Sequence, residues 1–168
     1  MENLNRIREG AGMQRPRVSI ILLAFNHIEY TKICVESLYA FTAHLHFELI
    51  TVNNGSHDGT EEFFNSLPHH KKINFVANVG GDVAINGGLA LAEGQYTIFL
   101  SNDLVLTPNW LDNLLGCMES EENIGMVVPA CSASSNYQQV NLSYQNMEEM
   151  LQAATLYKPS LNLKISLR

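Results

Sequence analysis

The chain has 168 residues, 46% hydrophobic and 16% charged, with a formal net charge of −7. That length accommodates one domain with a real core, and the balance is that of a globular chain, not a disordered one. The acidity excludes a nucleic-acid platform, because no basic stripe is present to neutralise phosphates.

Cys34, Cys117 and Cys131 are odd in number, far apart and form no CxxC pair. Reduced, mostly packed thiols in a cytoplasmic protein are expected, in preference to disulfides or a zinc site. Residues 1–16 are polar, lack the apolar core of a signal segment and read as a flexible lead-in. No apolar run is long enough to span a bilayer, so the chain is expected to be soluble, with a peripheral membrane position left open if it belongs to something larger.

In chain order, Val18–Leu23 predicts a buried strand. Tyr30, Ile33, Cys34, Leu38 and Phe41 recur at helical spacing and predict an amphipathic helix. Phe47–Val52 predicts a second strand, broken by the turn residues Asn53-Asn54-Gly55-Ser56. Asp58, three before Glu61, is a capping-box pattern opening a short helix that stops before Pro68. His69-His70 and Lys71-Lys72 read as an exposed loop, and Ile73–Val76 as a short third strand.

Asn78-Val79-Gly80-Gly81 leads into a helix with Val83, Ala84, Gly87, Gly88 and Leu91 on its apolar face and Gly94 as its stop. Tyr96–Leu100 predicts a buried strand ending in polar Ser101-Asn102-Asp103. Thr107 is placed to cap a helix with Pro108 at its first position and Leu111, Leu114, Leu115 and Met118 inside. Ile124–Val128 predicts another strand, and 146–157 a helix with Met147, Met150, Leu151 and Ala154 on one side. Residues 161–168 alternate with period two, as a strand or part of one would. Strands alternating with helices predict an α/β fold with a mainly parallel sheet and helices on both faces.

Three polar clusters follow three strands: Ala24-Phe25-Asn26, Asn53-Asn54-Gly55-Ser56 and Ser101-Asn102-Asp103. Each alone is ordinary turn chemistry. Together they would line one sheet edge and converge on a ligand, with Asp103 able to hold a divalent cation and through it a phosphate. The glycines after Asn78 precede a helix N-terminus, but their spacing is neither a dinucleotide fingerprint nor a P-loop. Asn86, inside that helix, either reaches the ligand or faces solvent. No nucleophile elbow, HExxH or paired carboxylates stand out.

With these clusters in view, the chain resembles the family 2 glycosyltransferases, which have the Rossmann-like GT-A fold. Val18–Asn26 resembles that family's first strand and turn, and Val52-Asn53-Asn54-Gly55-Ser56-His57-Asp58-Gly59-Thr60 its second, with Asn53 in the place of an Asp. Asn78-Val79-Gly80 through Asn86-Gly87-Gly88 and Leu100-Ser101-Asn102-Asp103 resemble two further segments, the last being its metal motif with Ser101 in the place of the first Asp. The resemblance implies a nucleotide-diphospho-sugar-binding domain over 17–140, and an acceptor-side region or truncated tail over 141–168. It implies an inverting transfer from a UDP- or dTDP-sugar to a saccharide or other hydroxyl acceptor, assisted by Mg²⁺ or Mn²⁺ on Asp103. Ala24, Phe25, Asn26, Asn53, Asn78, Gly80, Asn86, Ser101, Asn102 and Asp103 would bind the donor, with Phe25 beside the base and Asn53 hydrogen-bonding it. A homodimer is left open. Glu148 and Glu149 read as a solvated helix face, so no general base is assigned. The alternative is a non-catalytic nucleotide-sugar-binding module.

Overall fold

The computed structural model describes residues 15–133 and 138–157. They form two compact units, one ending at Glu36 and resuming over Ala43–Leu104, the other made of Ser37–Thr42 and the residues from Val105 onward. The first unit holds four parallel strands, β1 (Val18–Ala24), β2 (Phe47–Asn54), β3 (Lys71–Phe75) and β4 (Tyr96–Ser101), in the order β3-β2-β1-β4. The helices are α1 (Ile28–Thr42), α2 (Thr60–Ser66), α3 (Gly81–Leu89), α4 (Trp110–Met118) and α5 (Met147–Leu156).

β1 is apolar on both faces, as a central parallel strand must be. Ile21 pairs in register with Ile50, and with Val52 and Ala84 they form a buried cluster under α3. Gly88 makes that contact close: a Cβ there would stand 2.6 Å from Ile21 Cγ2. Ile20, Leu22 and Leu49 are buried on the opposite parity, and Thr31, Cys34 and Val35 of α1 and Thr60 and Phe64 of α2 are also buried in this unit. The chain runs outward from β1 to β3 and then returns to place β4 on β1's other side. The switch point therefore lies between the carboxyl ends of β1 and β4, where open α/β sheets bind ligands.

The second unit is tied by Leu106 N–H donating to Ser37 Oγ (3.0 Å) and Trp110 Nε1 donating to Thr42 Oγ1 (3.0 Å). Leu111 and Leu115 are the buried residues of α4, while α5 buries none. Among the described residues no helix is long and apolar enough to cross a membrane.

Several elements differ from expectation. Asn53 and Asn54 continue β2, and the turn comes at Gly55, whose φ is +78°. Asp58 and Glu61 form no capping box: Asp58 accepts from Thr60 and Ile28, and Glu61 from Asn74 Nδ2. β3 starts at Lys71, so the lysine pair opens a strand, and Val76 beyond it is 95% exposed. His70 is partly buried with Nε2 sealed and unpartnered, and burial pushes its pKa down. Val83 is exposed, because α3 presents only Ala84 and Gly88 as buried residues.

Helix α3 ends at Leu89, ahead of Gly94, and β4 buries only Leu100. Helix α4 begins at Trp110, after Asn109 in the left-handed region, not at Pro108. Residues 124–128 form no strand, and Met126 and Val128 are exposed. Of the cysteines only Cys34 is buried. The period-two segment 161–168 and most of the 1–16 lead-in lie outside the described residues.

Gly94 has a different task from ending a helix. A Cβ on it would stand 2.5 Å from Ser19 N, and its N–H donates to Ser19 Oγ (2.8 Å). Ser19 in turn donates to Glu48 Oε1, which also accepts from Glu93 N–H (2.7 Å). Lys71 Nζ sits 2.8 Å from Glu48 Oε2 and 3.2 Å from Glu93 Oε1. This network pins β1, β2, β3 and the segment before β4 at the amino edge of the sheet. Burial tends to raise the Glu48 pKa, but the bonds from Lys71, Ser19 and Glu93 outweigh it and hold the carboxyl below its ordinary value. A depressed carboxyl pKa contributes stability above the unfolded pKa that is lost as pH falls through the folded one. Glu48→Gln is therefore expected to flatten the stability loss between about pH 5 and pH 3, read by urea unfolding across that range. An unchanged acid slope would show that Glu48 is not the group responsible.

At the opposite edge, Gly55 packs against the chain after β3. An added Cβ would lie 2.4 Å from the Ala77 carbonyl carbon, and the positive φ strains any other residue. Gly55→Ala is expected to lower unfolding free energy by about 2 kcal/mol or more, measured by denaturant titration.

Candidate functional site

Parallel pairing brings the carboxyl ends of the strands into line: Ala24 opposite Asn53, Leu23 opposite Ser101, Asn54 opposite Phe75. The turns beyond them carry peptide groups that no strand can satisfy. Asparagine side chains, each both donor and acceptor, satisfy several of them. Asn26 N–H donates to Ser56 Oγ (2.8 Å), and Asn26 Oδ1 accepts from His57 N–H (3.0 Å), joining the β1 and β2 turns. Asn54 Oδ1 accepts from Val79 N–H (3.0 Å), while its Nδ2 donates to Asn78 Oδ1 (3.1 Å), which also accepts from Gly80 N–H (2.9 Å). Those bonds join β2 to the loop before α3. Asn102 Nδ2 donates to the Asn26 carbonyl and to Thr31 Oγ1, both at 2.8 Å, joining β4 to β1 and α1.

Asp58 completes the arrangement. Its Oδ2 accepts from Ile28 N–H (2.8 Å) at the start of α1, where a carboxylate also suits the helix dipole, and its Oδ1 accepts from the Thr60 hydroxyl (2.6 Å). Burial tends to raise its pKa, but the bonds from Thr60 and Ile28 hold the carboxyl below the ordinary aspartate value. An ionised carboxylate with these partners is a tie between turns, not a proton acceptor in waiting.

The predicted site residues divide by exposure. Ala24 is buried, Asn53 is 1% exposed and Asn102 is 8% exposed. Asn26 is partly buried; Phe25, Asn78, Gly80, Ser101 and Asp103 are exposed. All of these lie at the carboxyl ends of the four strands or on the linked turns that follow them. Asn86 lies apart from them, exposed on α3 five residues beyond its first position, about 7.5 Å along the helix axis. Asn53 Oδ1 accepts from Ser56 N–H (3.0 Å), which closes the β2 turn.

Asp103 is an exposed carboxylate directly after β4. Beneath it Cys34 donates to the Ser101 carbonyl (3.7 Å). Burial, with the Asp103 charge adding to it, pushes the Cys34 thiol up to about 11 against a smaller opposing contribution from the Leu104 backbone, so it stays protonated and packs. Among the described residues no group of three or more His, Cys, Asp or Glu could hold a metal ion by itself. A lone carboxylate still fits Mg²⁺ or Mn²⁺ that draws its remaining ligands from substrate phosphates and water.

Asn54, Ser56 and Asp58 organise the site; the sequence places them in a polar cluster, a capping pattern and the second family motif, but not among the donor-binding residues. Thr31 went unnoticed. The Asn-Gly-Ser and Asp-Gly-Thr runs carried the signal, but short polar residues give the same pattern in any turn.

Known proteins resemble this chain in sequence and in fold. The model of the glycosyl transferase family 2 matches residues 19–165. An uncharacterized glycosyltransferase of Rickettsia prowazekii is 32% identical over 115 residues, which is 67% of this chain and 35% of that protein. The uncharacterized glycosyltransferase YibD of Escherichia coli is 27% identical over 135 residues, 78% of this chain and 38% of that protein. The chain thus spans little more than a third of the length of these relatives. The fold is also that of the mannosyltransferase PcManGT from Pyrobaculum calidifontis in complex with GDP-Man and Mn²⁺, with TM-score 0.56 and 20% identity over 64% of this chain and 34% of that one. TarS of S. aureus in complex with UDP-GlcNAc aligns with TM-score 0.52 and 24% identity over 61% of this chain and 31% of that one. Four parallel strands with their polar turns gathered at one edge, and a family match across most of the chain, lead to one conclusion: the chain belongs to glycosyl transferase family 2.

Proposed function

We propose that residues 17–140 form the donor-binding half of an inverting, metal-assisted glycosyltransferase that takes a nucleoside diphosphate sugar, with UDP- and dTDP-sugars as first candidates. The observation that carries this is the gathering of four polar turns at the switch point, with exposed Asp103 at the end of β4. Exposed Phe25 offers a flat apolar face for the base, with Asn26 beyond β1 and Asn53 at the adjoining end of β2. The N-terminus of α3, which Gly80 precedes, would offer the N–H groups of its first turn to phosphate or sugar hydroxyls. Asn78, Ser101 and Asn102 would supply the remaining polar surface on the donor side, with Asn86 farther along α3 reaching it only through an extended part of the donor.

Asp103 would hold Mg²⁺ or Mn²⁺. Bound there, the cation offsets the charge that grows on the leaving diphosphate. An acceptor hydroxyl of a saccharide or similar molecule, giving its proton to a general base that is not assigned among the described residues, would attack the sugar carbon from the opposite face, break its bond to the diphosphate oxygen and invert the centre as the nucleoside diphosphate leaves. Among the described acids, Asp58 is committed to Ile28 and Thr60, while Glu149 accepts from Gln145 N–H and Asn146 Nδ2 at the start of α5. These commitments favour, as a second reading, a module that binds the nucleotide sugar without turning it over.

Both readings require donor binding. A nucleoside diphosphate such as UDP or CDP with Mn²⁺ is expected to raise the melting temperature, and Asp103→Ala to abolish the metal-dependent part of that rise. No shift with any nucleotide would overturn both. Transfer of labelled sugar to an acceptor separates them.

A further inference from the structure

The corner between α2 and β3 is closed by a side chain. Leu67 is extended at ψ 139°, Pro68 follows, and His69 lies in the left-handed region at φ +46°. Proline second and a positive φ third is the pattern of a type II turn over Leu67–His70. The third position of such a turn favours glycine, so His69 is strained there. Across the corner the His70 ring reaches the Leu67 backbone. Its Nε2 is sealed from solvent and has no partner, so that bond runs through Nδ1, which donates to the Leu67 carbonyl. His70 directly precedes β3, an outermost strand paired on one side only.

This arrangement holds the ring neutral. A proton on Nε2 would create an N–H⁺ walled off from water with nothing to accept from it. Burial lowers the ring's pKa, the Leu67 bond raises it by less, and the Lys72 charge lowers it further. The other charges on the packed elements are committed or turned outward. Lys72 Nζ donates to Asn65 Oδ1 of α2 (2.5 Å), and Lys71 pairs with Glu48 and Glu93. Glu61 of α2 accepts from Asn74 (3.2 Å), while Glu62 and His69 are exposed. Asp82 lies in the first turn of α3, the helix whose Gly87 packs on Ile73 and Phe75 of β3, and it too is exposed.

We propose that the Leu67–His70 corner is a proton-operated latch, closed while His70 is neutral and opened by protonation of Nε2, which releases β3 from the edge of the sheet. The effect carries to the far end of the strand. Just beyond β3, Ala77 packs on Gly55 and Val79 N–H donates to Asn54 Oδ1 (3.0 Å), so opening also loosens the loop before α3. A histidine whose folded pKa is depressed contributes stability that is fully present above the ordinary value of about 6.5 and is lost as pH falls through the folded value. The loss therefore begins well above the pH at which Glu48 titrates. The latch does not depend on what the carboxyl edge binds.

The test combines a ring titration by NMR with amide hydrogen exchange from pH 7.5 to 5.5. The His70 ring is expected to carry its proton on Nδ1 at pH 7.5 and to titrate below the ordinary histidine value. Protection of the β3 amides is expected to fall by up to about tenfold over that range, and at pH 5.5 to lie at least about tenfold below that of β1. In His70→Gln, which has no proton to gain, the fall is expected to vanish. A ring that titrates at or above the ordinary value would overturn the latch, as would β3 protection that changes by less than twofold or falls equally in the variant. Equal protection of β3 and β1 at pH 5.5 would make the opening global and overturn it as well. The titration and the β3-to-β1 comparison use the unaltered protein, so they decide even where the variant does not fold.

Discussion

The constraint on which this structure depends is the set of asparagine side-chain hydrogen bonds that joins four turns at the carboxyl edge of the sheet. A parallel sheet aligns all its carboxyl ends, so every turn there leaves peptide groups that strand pairing cannot satisfy. Asn26, Asn54, Asn78 and Asn102 satisfy them reciprocally. Because one amide can donate and accept at once, each side chain bridges two segments distant in sequence. Gly55 permits the closest of these approaches, since any Cβ would meet the Ala77 backbone. The edge is held as one polar surface, which is what a site for a rigid, charged ligand needs.

That use of side chains also limits what remains for a ligand. Asn102 spends its amide nitrogen on Asn26 and Thr31, and Asp58 spends both oxygens on Ile28 and Thr60. The groups still available are few and distinct in character: the Phe25 ring, Asn53 Nδ2, the N–H groups opening α3, and the Asp103 carboxylate. They are an apolar face, a single donor, a helix end whose dipole favours anions and an exposed carboxylate. That order of chemistries matches a base, a diphosphate and its counter-ion. Asp82, in the first turn of α3, suits the helix dipole yet adds negative charge near the same helix end.

The opposite edge is built by a different interaction. There the part-exposed turn before β4 is held by a carboxylate, as Glu48 gathers Ser19, Glu93 and Lys71 around it. The two edges divide the labour of the sheet. The amino edge is fastened by an ionised network that leaves nothing open, and the carboxyl edge is fastened by neutral amides that leave a few polar atoms exposed.

By itself the sequence determined the succession of elements in the first unit and the identity of the polar clusters. A short continuous apolar run such as Val18–Leu23 bounded by polar residues reads as a buried strand, and the Asn-Gly-Ser or Ser-Asn-Asp after such a run marks where the strand ends. It misjudged boundaries wherever a distant partner decided them. Asn53 and Asn54 remain in β2 because their neighbours across the sheet are β1 and β3, and 124–128 is no strand because no strand pairs with it. Gly94 looked like a helix stop because close approach to Ser19 is invisible along the chain. Which side chains became ties and which stayed available was decided only by tertiary structure. A hydrogen bond between residues 26 and 57, or 54 and 79, depends on strand order and register, and these emerge only when the whole sheet is assembled.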